Sequence, residues 1–440
     1  MKKPIRAGAG ILAVAMLLGG CAANSEEPET PSAEEPAAGP IDFWYFGSTE
    51  TTQPAIDRWN ELNPDMPVTG TNPGSGTEYQ AKLIAANKAG NPPDAAALQY
   101  QDVPSFVING TLEDLTSYFG QYEDEFLPGA WGSVEFDDKV YALPADVSPM
   151  LMYYRKDIFK EHGVAVPTTW DEFAEAAETL KAAEPDAYIT NVSPAAPNTN
   201  WIQALAGQMN SNWWSIDGDT WNVGIADEGG KQVAEYWGDL ASRDLVDTMK
   251  ERSPEWNAAY ANGTLLTLIG ATWSNTFLSG AAPDTKGSWG VAPLPQWDPE
   301  NPNNAYYGGS STTIPANADN KAGAAEFIHW LNADQEALEY RLSLAASYFT
   351  TKDSRNLAGY DTPPEFLSDV DNFWQLADES AAISTPTQWG PNALVAYTAY
   401  ETYFGPAMLN DTSWVEALEA VQADTIANME KQGFNVEPAK

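Results

Sequence analysis

The chain has 440 residues, with 62 Asp or Glu against 22 Lys or Arg and a formal net charge of −40. So negative a surface repels phosphates, which excludes most nucleic-acid binders, and the length exceeds the roughly 250–300 residues at which single cores stop growing, which predicts two to three domains. Hydrophobic residues make up 43% and charged residues 19%, the balance of a folded body, and Trp outnumbers Phe by 17 to 15, an inversion that needs a reason.

Lys2, Lys3 and Arg6 precede an apolar run over residues 7–18, too short to span a bilayer as a stable helix and typical of an export signal. The run ends in Leu18, Gly19, Gly20 and Cys21, which resembles the lipobox of bacterial lipoproteins, where the Cys is acylated after cleavage. Residues 1–20 are thus expected to be a lipoprotein signal peptide and Cys21 the lipidation site. Cys21 is the single cysteine, so no disulfide, thiolate zinc cluster or redox pair can form within the chain. Loss of the signal leaves 19 cations against 62 acids, a net −43. Residues 21–40 are rich in Pro and Glu and contain no large apolar side chain, so they predict a disordered tether reaching about 25 Å. These features place the chain outside the cell, anchored through Cys21 to the outer face of the cytoplasmic membrane.

From Ile41 strand and helix alternate. Residues 41–46 form a β-branched and aromatic run closed by Gly47; a helix with Ile56, Trp59 and Leu62 follows and stops at Pro64. A second helix carries Tyr79, Leu83 and Ala86 and ends at Gly90 and Pro92, ahead of a short strand over 95–98. In open α/β sheets ligands bind beyond the carboxyl ends of strands, so the loops starting at Gly47 and Gln99 come first. Residues 150–154 read as a continuous apolar strand, Asp157 as the cap of a short helix ending at Gly163, and Thr168 or Thr169 as the start of a longer one. Amphipathic helices follow around Val233, Tyr236, Trp237 and Leu240, and around Ala324, Phe327, Ile328 and Leu331. No repeat of 20–50 residues is visible, against a solenoid or propeller.

The words YYRKDIF and VPTTWDEF within residues 141–180 resemble the crossover segment of the family 1 extracellular solute-binding proteins, the carbohydrate receptors of ABC importers. FWYFGSTE at 43–50, NGTLLTLIGATW at 262–273 and the stretch 308–342 agree in order, so the resemblance covers nearly the whole mature chain. Thr350 stands where the family often has Pro, and Ala271 where a second Gly is commoner. The resemblance implies an α/β, two-lobed periplasmic-binding-protein-like fold with a hinge and an interlobe ligand cleft. Mapped here, lobe 1 is residues 41–146 plus 297–336, and lobe 2 is residues 147–296 plus 337–440. It also implies a monomeric, non-enzymatic receptor that needs no cofactor and hands sugar to ABC transporter permease subunits. A ligand shifts such a hinge only if it binds the closed form better, so contacts from both lobes are expected.

A neutral sugar presents hydroxyls in fixed directions and weakly polarised C–H faces, which aromatic rings bury while Asp, Asn, Gln, Ser and backbone groups take the hydroxyls. Tryptophans outside helix faces are therefore the ones of interest: Trp44 with Tyr45, Trp201, Trp213 with Trp214, Trp273 and Trp389. Trp59, Trp170, Trp237 and Trp330 sit at helix-face spacing and are expected in the core. The candidate carbohydrate-binding set is Trp44, Tyr45, Ser48, Glu50, Tyr100, Asp102, Asp146, Ser148, Trp201, Trp273, Gly309, Ser310 and Trp389. The competing readings are a glycoside-active lipoprotein, which needs two carboxyls about 5–10 Å apart, and a receptor for a peptide or another solute. A metal receptor is disfavoured, with only His162 and His329 present and far apart; Tyr153 and Tyr154 lie in a predicted strand, where neighbours face opposite ways. An anionic ligand finds almost no Lys or Arg in the candidate loops.

Overall fold

The computed structural model describes residues 38–195 and 198–439. The expected signal peptide, Cys21 and nearly all of the expected tether lie outside the described residues. No helix among the described residues is long and apolar enough to cross a membrane.

One nine-stranded sheet organises the body. Its strands are β1 (Ile41–Trp44), β2 (Val68–Thr71), β3 (Ala95–Gln99), β4 (Leu143–Arg155), β5 (Thr267–Ala271), β6 (Trp289–Pro293), β7 (Asn304–Thr313), β8 (Tyr348–Phe349) and β9 (Ser384–Thr385). The main path runs β5-β4-β7-β3-β1-β2. β1 pairs in parallel with β2 and β3, as strand–helix–strand connections require. β7 then enters antiparallel between β3 and β4.

β4 changes partners along its length. Its first half pairs with β7 (Leu143 with Thr312, Asp146 with Ser310), and its second half pairs with β5 and β6 (Leu151 with Gly270 and with Pro293). The exchange of partners falls at residues 146–150, where the β4–β7 register slips between Tyr306 and Gly309. Gly308 and Gly309 sit there at φ +83° and +136°, values that side-chain-bearing residues rarely adopt. The strand legible in the sequence began at Met150; the seven residues before it carry Pro144, Pro149 and Asp146, which disguise a strand in a period-two reading.

Helices cover the sheet where their patterns place them. Thr49–Leu62, Gly76–Lys88, Trp170–Ala183, Glu228–Ser242 and Lys321–Ala333 match the expected segments. Thr169 is the N-cap of the third, its side chain accepting from the Glu172 amide, while Glu172 reaches back to the Thr168 amide and hydroxyl. Asp157 caps nothing: it lies in the first turn of Lys156–Glu161 with Arg155 at the cap, and its carboxylate takes the Arg155 guanidinium instead. Trp59, Trp170 and Trp237 are buried at 0–2% exposure, and Trp330 packs partly buried against Trp59 at 5.2 Å between rings. Buried apolar residues form several clusters. One joins Tyr100 and Val134 to Tyr153, Trp289 and the 338–377 region, so packing ties together segments far apart in sequence.

Candidate functional site

Three elements meet at the carboxyl end of β3. The short helical turn Tyr100–Asp102 touches β7 and the helix Ala393–Met408, and the helix Thr199–Gln208 packs on β7 and on that same long helix. Thr199–Gln208 is buried all round except at Gly207, although its sequence includes Thr, Asn and Gln. Polar groups are thereby carried into the interior.

Several of them find no partner. The Tyr100 hydroxyl, Gln101 Oε1, Thr199 Oγ1, Thr272 Oγ1 and both amide atoms of Gln203 are buried without a hydrogen bond. Each such group costs about 1–3 kcal/mol when left unpaired, and native interiors keep few of them. Tyr100 is 2% exposed; the Ala145 amide approaches its hydroxyl without reaching hydrogen-bond geometry. Its ring lies against Gly309, where a Cβ would stand 2.6 Å from Cε2. Beside it the Asp146 carboxylate accepts from the Ser310 amide and hydroxyl, both at 2.9 Å. Burial raises the Asp146 carboxyl above its usual range, and Arg341 and Ser310 oppose the shift. Asp102 is 7% exposed and accepts one hydrogen bond, from Gln80 Nε2 at 2.6 Å.

A small cavity opens alongside, lined by Trp201, Glu251, Trp273, Phe277 and Tyr307 together with the amides of Asn191 and Asn198. Trp273 is its platform. The indole Nε1 donates to Ser148 Oγ at 3.0 Å, and the ring meets Tyr307 at 5.2 Å and Phe277 edge-on at 5.5 Å. Arg252 stacks over Phe277, 4.3 Å from its centroid, and its Nε is 3.5 Å from Glu251. The cavity measures about 20 Å³, room for a water or two, so a larger ligand can enter only if the walls part.

The expected residues separate into groups. Tyr100, Asp102, Asp146, Gly309 and Ser310 come together at the β3–β7–β4 junction, and Ser148, Trp201 and Trp273 at the cavity. Trp201 lies in a helix and is spent largely on packing: Nε1 donates to the Ile269 carbonyl at 2.9 Å, and the ring meets Trp237 at 4.9 Å. Trp389 is 6% exposed in the apolar cluster that includes Tyr100. Trp213 and Trp214 are 1% and 0% exposed, and Trp214 presses on Gly390, where a Cβ would stand 2.3 Å away. In the first loop, Tyr45 is 4% exposed in the core beside Phe43, Trp44 packs half-buried against the Tyr79 cluster, and Ser48 donates to Glu50 at 2.7 Å on the surface. Gln101, Thr199, Asn200, Glu251, Thr272, Tyr307 and Tyr397 escaped sequence reasoning. The Tyr397 hydroxyl donates to Asn200 Oδ1, a pairing of residues nearly 200 positions apart that nothing local signals. No group of three His, Cys, Asp or Glu among the described residues could hold a metal ion.

Comparison with known proteins adds family and fold. Residues 46–337 match the model of the bacterial extracellular solute-binding proteins. The chain is 23% identical over 310 residues, 68% of each protein, to an arabinooligosaccharide-binding protein of Halalkalibacterium halodurans. It is 24% identical to an sn-glycerol-3-phosphate-binding periplasmic protein of Agrobacterium fabrum, over 71% of this chain and 74% of that one. Among solved structures, the ABC transporter associated binding protein from B. animalis subsp. lactis in complex with β-1,6-galactobiose superposes with a TM-score of 0.81 at 25% identity. That match covers 91% of this chain and all of the other.

Proposed function

The chain belongs to the bacterial extracellular solute-binding protein family, and from that premise we propose that it captures an oligosaccharide between two hinged lobes and delivers it to an ABC permease. Solute-binding proteins of this family are not enzymes, and the protein binds its ligand without transforming it. The lobes in this reading are residues 41–146 plus 297–336 and residues 147–296 plus 337–440, with Cys21 as the lipid anchor. The partner exchange along β4 at residues 146–150 supports a junction at that point.

The observation that carries the reading is the Trp273 platform. A sugar ring has an apolar C–H face and equatorial hydroxyls, and here an indole fixed by Ser148 stands among aromatic edges, with Asn191 and Asn198 beside it. The unpaired hydroxyls and amides at Tyr100, Gln101, Thr199 and Thr272 are the groups that ligand hydroxyls would satisfy. With the walls as close as they are, ligand entry requires the lobes to separate, and closure then returns contacts from both sides.

Calorimetry against arabinotriose, maltotriose, β-1,6-galactobiose and glycerol 3-phosphate tests the reading. Binding of at least one neutral saccharide is expected, with Trp273→Ala weakening it about tenfold to a hundredfold, the loss of one stacked aromatic contact. Binding of peptides and of no saccharide would overturn it. A phosphorylated polyol is the second reading, prompted by the A. fabrum relative. The cavity lining counts against it: it includes the acidic residue Glu251 and no Lys or Arg among the described residues, and Arg252, stacked over Phe277 and Trp273 beside the space, already lies 3.5 Å from Glu251.

A further inference from the structure

Asp102 is a buried carboxylate with unusually little support. It is 7% exposed, it takes one hydrogen bond from the neutral Gln80, and among the described residues it forms no ion pair. A buried charge so poorly compensated is expensive, and the usual relief is protonation. Its surroundings come from three elements. Helix Gly76–Lys88 contributes Gln80 and Tyr79, helix Ala393–Met408 contributes Tyr397, and β7 packs on the turn that carries the carboxylate. Tyr79 and Tyr397 both feel the Asp102 charge, and burial pushes these phenols, with Tyr100 and Tyr307, well above the ordinary range. They stay neutral across the physiological range, so none of these phenols competes with Asp102; Asp146, the other buried carboxyl at this junction, is also raised by burial, a shift that the Arg341 charge and two hydrogen bonds from Ser310 oppose. Tyr397 stands on the far side of the proposed hinge from Asp102, so separation of the lobes would return the carboxyl to water.

We propose that closure of the lobes is proton-linked through Asp102: the closed form takes up a proton on this carboxyl, and saccharide affinity falls as pH rises toward neutrality and levels off above it. The proposal rests on the two-lobed sugar-receptor reading. Burial raises the Asp102 carboxyl to about 7 in this structure, taken as the closed form, whereas a carboxyl in water sits at about 3.9. Between these values the open form is ionised while the closed form holds its proton, so raising the pH pulls the equilibrium toward open by up to about tenfold per unit. Above about 7 both forms are ionised and the dependence ends. A neutral saccharide contributes no titration of its own.

The test uses the full chain and the tightest-binding saccharide of the panel, titrated calorimetrically from about pH 5 to about pH 8.5 in buffers of differing ionisation enthalpy. The expected result is affinity that declines and then levels near neutrality, with a proton taken up on binding in the declining limb. Asp102→Asn should lose both the slope and the proton. Because Asp102 also lies among the candidate ligand contacts, Gln80→Leu supplies a second arm: removing the one hydrogen bond to the carboxylate should move the levelling point to higher pH. A flat wild-type profile, or a slope that survives Asp102→Asn, overturns the proposal. If no saccharide binds at any pH, the sugar reading falls instead. Small-angle scattering of the ligand-free chain then decides the linkage alone: compaction at low pH that is lost in Asp102→Asn supports it, and an unchanged radius overturns it.

Discussion

Two loops leave neighbouring parallel strands of one sheet, and on position alone they are equal candidates to receive a ligand. The loop after β1 resolves its polar groups by itself. Tyr45 turns into the core with its hydroxyl on Thr49, and Ser48 holds the exposed Glu50, whose carboxyl it lowers below the usual range. The turn after β3 leaves its groups unresolved: Tyr100 and Gln101 carry buried atoms with no partner, and Asp102 has one. The difference comes from what covers each loop. β7 and helix Ala393–Met408 close over the second and remove water without supplying hydrogen bonds. A polar group that the fold desolvates and does not satisfy is where a ligand gains most by supplying the bond.

The sharpest way to break this contrast is Gly309→Ala. Its Cβ would meet Tyr100 at 2.6 Å on a backbone at φ +136°, and we expect a loss of about 2–4 kcal/mol in chemical denaturation, together with loss of ligand binding as Tyr100 is displaced. Tyr100→Phe should separate the two loops more finely. Deleting an unpaired buried hydroxyl should leave the ligand-free stability unchanged or raise it by about 1 kcal/mol, while ligand affinity falls about tenfold; a clear loss of stability without ligand would show that the hydroxyl is satisfied after all. The smallest effect is expected at Ser48→Ala, within about 0.5 kcal/mol in stability and about twofold in affinity. An affinity loss there as large as at Tyr100 would erase the distinction between the loops.

The elements legible in the sequence were those with a single strong period. The helices bearing Trp59, Trp170 and Phe327 follow their apolar spacing, and Thr169 is the cap where the sequence left Thr168 and Thr169 open. The Trp excess divided by rule as well: helix-face tryptophans went to the core. The rule did not sort the loop-like positions, because a Trp outside an apparent helix face can still be buried by a distant segment. Trp201 meets Trp237 and Trp214 meets Gly390, and neither partner is within reach of a local window.

Composition, charge and order of motifs are properties of the chain itself, so the sequence alone determined the acidity of −40, the export-signal pattern ending at Cys21, the α/β alternation and the resemblance to a receptor family. Satisfaction of hydrogen bonds is a property of pairs brought together from afar. Only the tertiary structure decided that Trp273 is fixed by Ser148 across 125 positions, that Tyr397 meets Asn200, and that Asp102 is buried with one partner while Glu50, as acidic in the sequence, stays in water. Desolvation separates those two acids, and it depends on which distant surfaces close over a residue.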